Sequence, residues 1–274
     1  MLTARPFGFL GGWQFFGDWQ GQVAATAIHA GHDVRPGLAE RMILPEDVRF
    51  REEDPHTDRI IAGMASRVVV NMSRFEVDLN RSREDAVYRS PEEAWGLAIW
   101  RDGHLDDAAA RESLSRYDDF YAALAARLDD VAARGPFVIF DVHSYNHRRD
   151  GASADPAPFA ENPEVNLGTG SLDRERFGGV VEAFIDSLTG QDVSGTDPHT
   201  GRLDVRENVK FVGRGLAEWT HMRYPDRGIV LALEFKKTFM DEWTGETDDV
   251  RIDDLARALA LTVPDVESAL RRLS

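Results

Sequence analysis

The sequence predicts an α/β fold in which helices cover both faces of a sheet. Four short apolar runs have the length of strands and are rich in Val, Ile, Ala or Phe, which is typical of strands buried on both faces. Helical patterns lie between and after these runs, and such alternation favours a sheet between two helical layers. The four predicted strands are Val23–Ile28, Val68–Met72, Phe137–Val142 and Ile229–Leu233.

The clearest predicted helix is Asp106–Arg134. Apolar and aromatic side chains recur along it at steps of three and four residues, as they do on the buried face of a helix. Asp106 or Asp107 can cap its beginning, and Gly135-Pro136 ends it. Four further helices are predicted at Asp173–Leu188, Gly215–Arg223, Ile252–Leu261 and Pro264–Leu273.

Two segments are predicted to be long loops, Arg148–Asn162 and Gly190–Gly201, because Gly, Asp and other turn-forming residues are frequent in them. Loops of this length in a compact domain are often functional or mobile. No internal repeat and no linker divides the sequence. We therefore expect residues 1–274 to form a single domain.

The composition excludes several classes of protein. A 42% hydrophobic and 29% charged chain is globular, and its 48 acidic against 32 basic residues give a net charge of −16. Such a surface repels phosphate backbones and anionic lipid, so we expect no nucleic acid or membrane partner. The lack of cysteine excludes disulfides, thiolate zinc sites and cysteine nucleophiles. No apolar run reaches the ~20 residues of a bilayer span, and residues 1–20 lack the basic start of a signal peptide, so we expect a cytoplasmic protein.

Polar side chains suited to binding metals or anions follow the four predicted strands. Ligands of open α/β sheets bind beyond the carboxyl ends of the strands. If the four strands are parallel neighbours, these side chains therefore share one site. They are His29 and His32 after the first strand, Arg74, Asp78, Asn80 and Arg81 after the second, His143 after the third and Glu234 after the fourth.

Three of these residues make the site a candidate metal centre. His29 and His32 are three residues apart and can point to one place, while His143 follows a different strand. Three nitrogen ligands, or two with a carboxylate, leave zinc one open position for water. Asp141 can orient an imidazole from behind, and a carboxylate ligand can come from Glu53, Asp54 or Asp58. The alternative is that each histidine is an ordinary loop or core residue.

The segment that follows the second strand is suited to binding a carboxylate. Arg74 and Arg81 can each make the planar, two-pronged hydrogen bonding that carboxylates accept. Asn80 adds an amide donor, and Asp78 can hold one of the arginines in place. The alternative is an ion-pair network on the surface.

Glu234 is the candidate general base. It ends an apolar strand, and partial desolvation raises the pKa of a carboxyl group toward the range useful for proton transfer. Lys236 and Lys237 follow closely and would oppose that rise. The alternative is a structural glutamate that pairs with one of these lysines.

The chain resembles the N-formylglutamate amidohydrolase family, a branch of the zinc carboxypeptidase-like hydrolases. The matching motifs occur in the family's order over about residues 29–242, and the Asp-Leu-Asn-Arg and Asp-x-His-Ser motifs are the most specific. The motifs are His29-Ala-Gly31, Glu53-Asp54 with Thr57-Asp58, Ser73-Arg74 through Arg81, Asp141-Val-His143-Ser144, Asn166-Leu-Gly168-Thr169 and Leu233-Glu234 through Glu242.

The resemblance implies a three-layer α/β/α sandwich with a central mixed sheet, a phosphorylase/hydrolase-like fold. It also implies one zinc ion per chain and hydrolysis of the amide bond of an N-formyl or N-acyl amino acid, an N-formylglutamate-like substrate that bears a carboxylate. Zinc would activate the attacking water. By the same resemblance the site residues are His29, His143 and Asp54 as zinc ligands, Glu234 as general base, and Arg74, Asn80 and Arg81 at the substrate carboxylate. In the mechanism that we expect, Arg74 is the arginine that stabilises the oxyanion.

The sequence departs from the family pattern at two places. His32 stands where related carboxypeptidases have a glutamate ligand, so it is expected to replace or supplement Asp54. Phe235-Lys236-Lys237 follows Glu234 where relatives carry a polar residue and an arginine. Lys236 is therefore a further candidate for binding substrate, and the exact substrate stays open.

Three other functions remain open at this point. The same residues would serve a zinc peptidase or amidase that acts on a small peptide. A catalytically silent protein that binds an acidic ligand would need to lack a key residue, and none is missing from the motifs. A structural protein with surface histidines would bind no stoichiometric metal.

Overall fold

A computed structural model describes residues 12–193 and 202–273. A seven-stranded sheet with the order β1-β3-β2-β4-β7-β5-β6 runs through the described part of the chain. Its strands are β1 (Trp13–Phe16), β2 (Val23–Ala27), β3 (Arg67–Val70), β4 (Phe137–Tyr145), β5 (Val165–Gly168), β6 (Val205–Glu207) and β7 (Gly228–Lys236).

The four strands predicted from apolar runs are β2, β3, β4 and β7, and they form the parallel centre of the sheet. Strands β4 and β7 pair along their whole length, from Phe137 opposite Gly228 to Tyr145 opposite Lys236. Strand β1 is antiparallel to β3, and β5 is antiparallel to β7. The predicted mixed sheet is therefore confirmed, and the carboxyl ends of its central strands meet at one edge.

The helices are α1 (Pro36–Ala39), α2 (Glu46–Glu52), α3 (Thr57–Ile60), α4 (Asp107–Arg134), α5 (Arg174–Thr189), α6 (Leu216–Arg223), α7 (Asp249–Leu261) and α8 (Val263–Arg271). All five predicted helices are present, with ends that differ by a few residues. The beginning of α4 is capped as predicted, because the Asp106 carboxylate accepts hydrogen bonds from the amides of Ala108 and Ala109. Gly135 ends it with a φ of 145°.

Two apolar clusters, one on each face of the sheet, show the three-layer arrangement. Alternate residues of β4 face opposite sides, so Val138 and Phe140 belong to one cluster and Phe137 and Ile139 to the other. Helices α3, α5, α7 and α8 contribute to the first cluster. Helices α1, α4 and α6 contribute to the second. The predicted α/β/α sandwich is therefore confirmed.

The sequence patterns overlooked the short elements β1, β5, β6 and α1 to α3. The predicted loop Arg148–Asn162 contains one turn of 3₁₀ helix at Phe159–Glu161. The predicted loop Gly190–Gly201 lies mostly outside the described residues, as does the first half of the segment considered as a signal peptide. No helix in the described ranges is long and apolar enough to cross a membrane.

Candidate active site

A cavity of about 850 Å³ opens where the central parallel strands end. A site was predicted there because ligands bind at the carboxyl ends of such strands. Seven of the ten predicted site residues line it: His29, Asp54, Arg74, Asn80, Arg81, His143 and Glu234.

Three buried side chains on the wall of this cavity converge on a single point. His29 follows β2, His143 lies within β4, and Asp54 follows α2, where its amide donates a hydrogen bond to the His29 carbonyl. The Nδ1 atoms of His29 and His143 lie 3.3 Å and 3.0 Å from the same Asp54 Oδ2 atom. This group of two imidazoles and one carboxylate is suited to holding a metal ion.

A second buried carboxylate lies behind each imidazole. Nε2 of His29 is 2.7 Å from Oδ1 of Asp78, and Nε2 of His143 is 3.0 Å from Oδ2 of Asp141. Thr26 donates a hydrogen bond to the other oxygen of Asp141. Such a carboxylate directs Nε2–H away from the centre and leaves Nδ1 free to coordinate. Asp141 is therefore placed as predicted, behind His143.

The donor atoms fit a metal ion on two observations. Nδ1 of His29 is buried and makes no hydrogen bond within the described structure, so its lone pair is available to coordinate a metal ion. Two ligand atoms that each lie about 2.0–2.1 Å from a tetrahedral zinc ion are roughly 3.3 Å apart. The distances from Asp54 Oδ2 to the two Nδ1 atoms, 3.3 Å and 3.0 Å, are close to that spacing.

The charges of this group follow from its contacts. Burial alone would raise the pKa of the Asp54 carboxyl, but the hydrogen bond from His143 and the nearby imidazole of His29 hold it well below its usual range. Burial would lower the pKa of His143, but Asp141 and Asp54 raise it well above its ordinary value. Metal ligands bind in their deprotonated form, so an ion at this point would compete with a proton on His143.

The structure does not bring His32 into this group. Its Nδ1 atom lies 2.5 Å from Glu53 Oε2, and its Nε2 atom lies 2.7 Å from a guanidinium nitrogen of Arg49. The prediction assumed that the chain turns after His29. Instead, Asp33 forms a parallel bridge with Met72, so the chain runs on beside β3 and His32 points elsewhere. Asp54 takes the third position of the group.

Asp78 connects the histidine group to an arginine. Its side chain is fully buried and does not line the cavity, so the structure places it behind the predicted substrate site. Oδ1 accepts from His29 and from the amide of Asn80, while Oδ2 accepts from Arg74 and from the Tyr88 hydroxyl. Burial opposes ionisation, but Arg74 and His29 hold the pKa of Asp78 well below its usual range.

The other residues of this segment face the cavity. Arg74 lies 2.7 Å from Asp78 Oδ2, and the Arg81 guanidinium stacks 4.6 Å above the Tyr88 ring. The Asn80 amide nitrogen lies 3.4 Å from Nε2 of His143, while its oxygen accepts from the backbone of Leu216. Two cationic groups and one amide are thereby brought beside the histidine group, as the sequence predicted.

Glu234 lies beside this group, on β7. It pairs with His143 of the neighbouring strand β4. Desolvation raises the pKa of Glu234 to about 8, with His143 opposing the rise and Asp54 adding to it. Lys236 and Lys237 bond elsewhere, to backbone carbonyls. The geometry therefore favours a proton acceptor over the alternative of a glutamate paired with a lysine.

Lys237, and not the predicted Lys236, lines the cavity. Its side chain is 1% exposed, and Nζ donates to the carbonyls of Arg51 and Glu53 at 2.6 Å and 2.7 Å. These carbonyls belong to the segment that carries Asp54. Lys236 instead reaches the Asn162 carbonyl, at 3.1 Å. Sequence reasoning overlooked Lys237 because two adjacent lysines give no sign of which one turns inward.

A second cavity, of about 440 Å³, also has Lys237 in its wall. Its wall also contains a histidine and acidic residues, among them His147, Asp241 and Glu242. The Glu242 carboxylate accepts hydrogen bonds from the amides of His147 and Arg148. This carboxylate is therefore engaged by the loop that surrounds it.

Comparisons with known proteins agree with this fold. The family model for N-formylglutamate amidohydrolase matches residues 22–240. The solved N-formylglutamate amidohydrolase from Ralstonia eutropha JMP134 is 18% identical, with a TM-score of 0.74 over 96% of this chain and 99% of that chain. A gene product from Agrobacterium tumefaciens is 17% identical, with a TM-score of 0.64 over 94% and 95% of the two chains. A search of curated proteins found no match.

Proposed function

The chain belongs to the N-formylglutamate amidohydrolase family, and on that premise we propose that it is a zinc-dependent hydrolase of N-formyl or N-acyl amino acids. Hydrolysis of the N-formylglutamate amidohydrolase type follows from the family. The zinc ion and the part played by each residue belong to the proposal. The observation that carries it is the convergence of two buried Nδ1 atoms on the Asp54 carboxylate, beside Glu234.

His29, Asp54 and His143 would hold the zinc ion. Catalytic zinc sites have three protein ligands and keep one position for water. A zinc ion held by these residues would supply a Lewis acid that makes water a nucleophile near neutral pH. Asp78 and Asp141 keep both imidazoles turned toward the centre through their Nε2 atoms.

Glu234 would act as the general base and then as the general acid. Burial raises the pKa of this carboxyl above its ordinary value, which suits it to accept a proton from the attacking water and to release it again. The same proton can then pass to the nitrogen of the leaving amine. The position of Glu234, opposite His143 on the adjacent strand, places it beside the proposed zinc ligands.

Two arginines would bind the charged parts of the substrate. Arg74, which Asp78 holds from behind, would meet the oxygen of the scissile amide as negative charge develops there. Arg81, whose side chain is 33% exposed, and the Asn80 amide would hold the substrate carboxylate. Fixing both ends of the substrate supplies the proximity part of the rate enhancement.

Metal analysis combined with a substrate panel tests this function. The chain would be purified without a metal-affinity tag and assayed on N-formyl and N-acetyl amino acids and on small peptides. We expect about one zinc ion per chain, turnover of the N-formyl amino acids, and loss of turnover when a chelator removes the metal. Equal turnover by metal-free protein would overturn the zinc assignment, and a preference for peptides would favour the peptidase alternative.

A further inference from the structure

We infer that Trp95 makes this site selective for acyl groups that are apolar and larger than formyl. The inference rests on the proposed amide hydrolysis and deepens it by naming the class of acyl group. Its basis is the position of one indole ring on the wall of the 850 Å³ cavity, next to the arginine proposed to meet the amide oxygen.

Trp95 presents apolar surface to the cavity. The side chain packs edge-on against Tyr88, with ring centroids 5.4 Å apart, and against Phe75 at 6.1 Å. It nevertheless remains 42% exposed, whereas Tyr88 and Phe75 are buried. A large aromatic surface that lies open in a concave site is typical of a place where a ligand completes the packing.

The backbone holds the indole in this position through a conformation that is energetically unfavourable for a bulky residue. Trp95 has a φ of 42°, in the left-handed region that a bulky side chain rarely adopts. The turn around it is held by the Pro91 carbonyl, which accepts from the amides of Ala94 and Gly96. Strain of this kind persists where the surroundings enforce it, and it is frequent at ligand-binding sites.

The contact with Arg74 relates the indole to the acyl side of the substrate. The Arg74 guanidinium carbon lies 5.2 Å from the centre of the Trp95 ring. In the proposed reaction Arg74 meets the amide oxygen, and the carbon that bears this oxygen also bears the acyl substituent. The same carbon also bears the amide nitrogen, and with the amino acid part extending toward Arg81 the inference assigns the acyl substituent to the side of Trp95.

The size of the cavity supports an acyl group larger than formyl. Pockets of roughly 300–1,000 Å³ enclose drug-sized ligands, whereas an N-formyl amino acid has only about a dozen non-hydrogen atoms. At about 850 Å³ the cavity leaves room beyond such a substrate. Phe211 and Val212 line it as well, and Val212 is 43% exposed, so further apolar surface is available.

A series of acyl groups on one amino acid tests the inference. With formyl, acetyl, butyryl and benzoyl derivatives, kcat/KM of the zinc-loaded protein should rise along the series. Burial of one methylene group contributes about 0.8 kcal/mol, which corresponds to at most about fourfold per added methylene. A flat or falling series would overturn the inference, while turnover of the formyl derivative would leave the proposed function standing.

Variants at position 95 attribute the effect to the indole. Trp95→Asn removes the apolar surface, and asparagine tolerates the left-handed backbone, so the turn is retained. The benzoyl-to-formyl ratio of kcat/KM should fall at least tenfold in Trp95→Asn and much less in Trp95→Leu, which stays apolar. Met222→Ala is the control, because Met222 is 76% exposed and does not line the cavity, and it should keep the wild-type ratio.

A second series, with the acyl group fixed and the amino acid side chain varied, separates the two ends of the substrate. Trp95→Asn should leave these side-chain ratios unchanged. If it alters them and leaves the acyl ratios intact, the indole contacts the amino acid and the inference is overturned. If the zinc-loaded protein hydrolyses no N-acyl amino acid at all, the proposed function fails and the inference fails with it.

Discussion

The two cavities that meet at Lys237 contain similar residue types and differ in how those residues are supported. In the larger one, two histidines and an aspartate direct their donor atoms to one point. In the smaller one, Glu242 accepts from backbone amides, and burial lowers the pKa of His147 to about 4, with Lys236 and Arg148 acting in the same direction.

The difference has its origin in the backbone. His29 and His143 follow or belong to adjacent parallel strands, and a carboxylate behind each imidazole fixes its direction. His147 and Glu242 belong to the loops that follow β4 and β7, where the carboxylate stabilises the loop itself. A candidate metal site is therefore recognised by donor atoms that converge on one point and are oriented by a hydrogen-bond partner behind them. The mere presence of histidine and acidic residues is not sufficient.

The sharpest test of this contrast replaces one histidine in each cavity. His143→Ala should lose the zinc ion and reduce kcat at least about 10³-fold, since a Lewis acid supplies several kcal/mol of transition-state stabilisation. His147→Ala should keep both metal content and kcat. Metal analysis and steady-state kinetics on the two variants measure the difference. Full zinc occupancy in His143→Ala would remove this residue from the ligand set.

The next test compares a glutamate from each cavity. Glu234→Gln should lower kcat roughly 10²–10⁴-fold while zinc stays bound, because the amide cannot accept the proton of the attacking water. Glu242→Gln should keep kcat within a few-fold and cost about 1 kcal/mol of unfolding free energy, since it weakens hydrogen bonds to the loop.

The pH profile gives Glu234 a signature of its own. A general base must be ionised, so wild-type kcat/KM should fall as the pH decreases through the pKa of this carboxyl, which desolvation raises. That acidic limb should change in Glu234→Gln and remain in Glu242→Gln. A near-normal kcat in Glu234→Gln with zinc in place would contradict its assignment as the base.

A smaller loss of zinc affinity is expected when a carboxylate that does not contact the metal is replaced. Asp141→Asn should weaken zinc binding about 10–100-fold, because Asp141 orients the His143 ring from behind. Asp241→Asn is the matched change in the second cavity, where Asp241 accepts from the amides of Trp243 and Thr244. Competition with a chelator of known affinity measures both, and equal zinc affinities would show that Asp141 has no orienting effect.

The smallest effect is expected at the wall that the two cavities share. Lys237→Met should weaken zinc binding several-fold and lower the unfolding free energy by about 1–3 kcal/mol, because the Glu53 carbonyl beside Asp54 loses its donor. Lys236→Met, the adjacent control, should leave zinc affinity unchanged. Thermal melting and chelator competition distinguish the two, and identical behaviour would show that Lys237 does not position Asp54.

The sequence predicted the centre of the fold well because burial on both faces leaves a strong pattern. Strands β2, β3, β4 and β7 and helix α4 each contain a continuous or periodic apolar signal. Short elements such as β5 and α3 have only four residues, too few for any period to emerge. The edge of the sheet where the site lies was predicted on the assumption that these four strands are parallel neighbours, and the structure confirms that assumption.

The details of the site depended on chain direction, which spacing does not reveal. His32 was expected beside His29, but the chain continues alongside β3 after Gly31. Lys236 was expected in the cavity, but its neighbour Lys237 turns inward. No pattern in the sequence pointed to Trp95 as a site residue. Its left-handed backbone lies in a turn held by hydrogen bonds from Ala94 and Gly96 to the Pro91 carbonyl, and such contacts cannot be read from residue spacing.

The saturated carboxylate of Asp78 has a thermodynamic consequence. Its two oxygens accept hydrogen bonds from His29, Arg74, Tyr88 and a backbone amide. Movement of one donor therefore changes the position of the carboxylate and its hydrogen bonds to the other donors. Histidine and arginine thus share one acceptor, although the proposal assigns them to different ligands. If metal binding at His29 changes the affinity of Arg74 for substrate by some factor, thermodynamic linkage requires that substrate binding at Arg74 changes the affinity of His29 for the metal by the same factor.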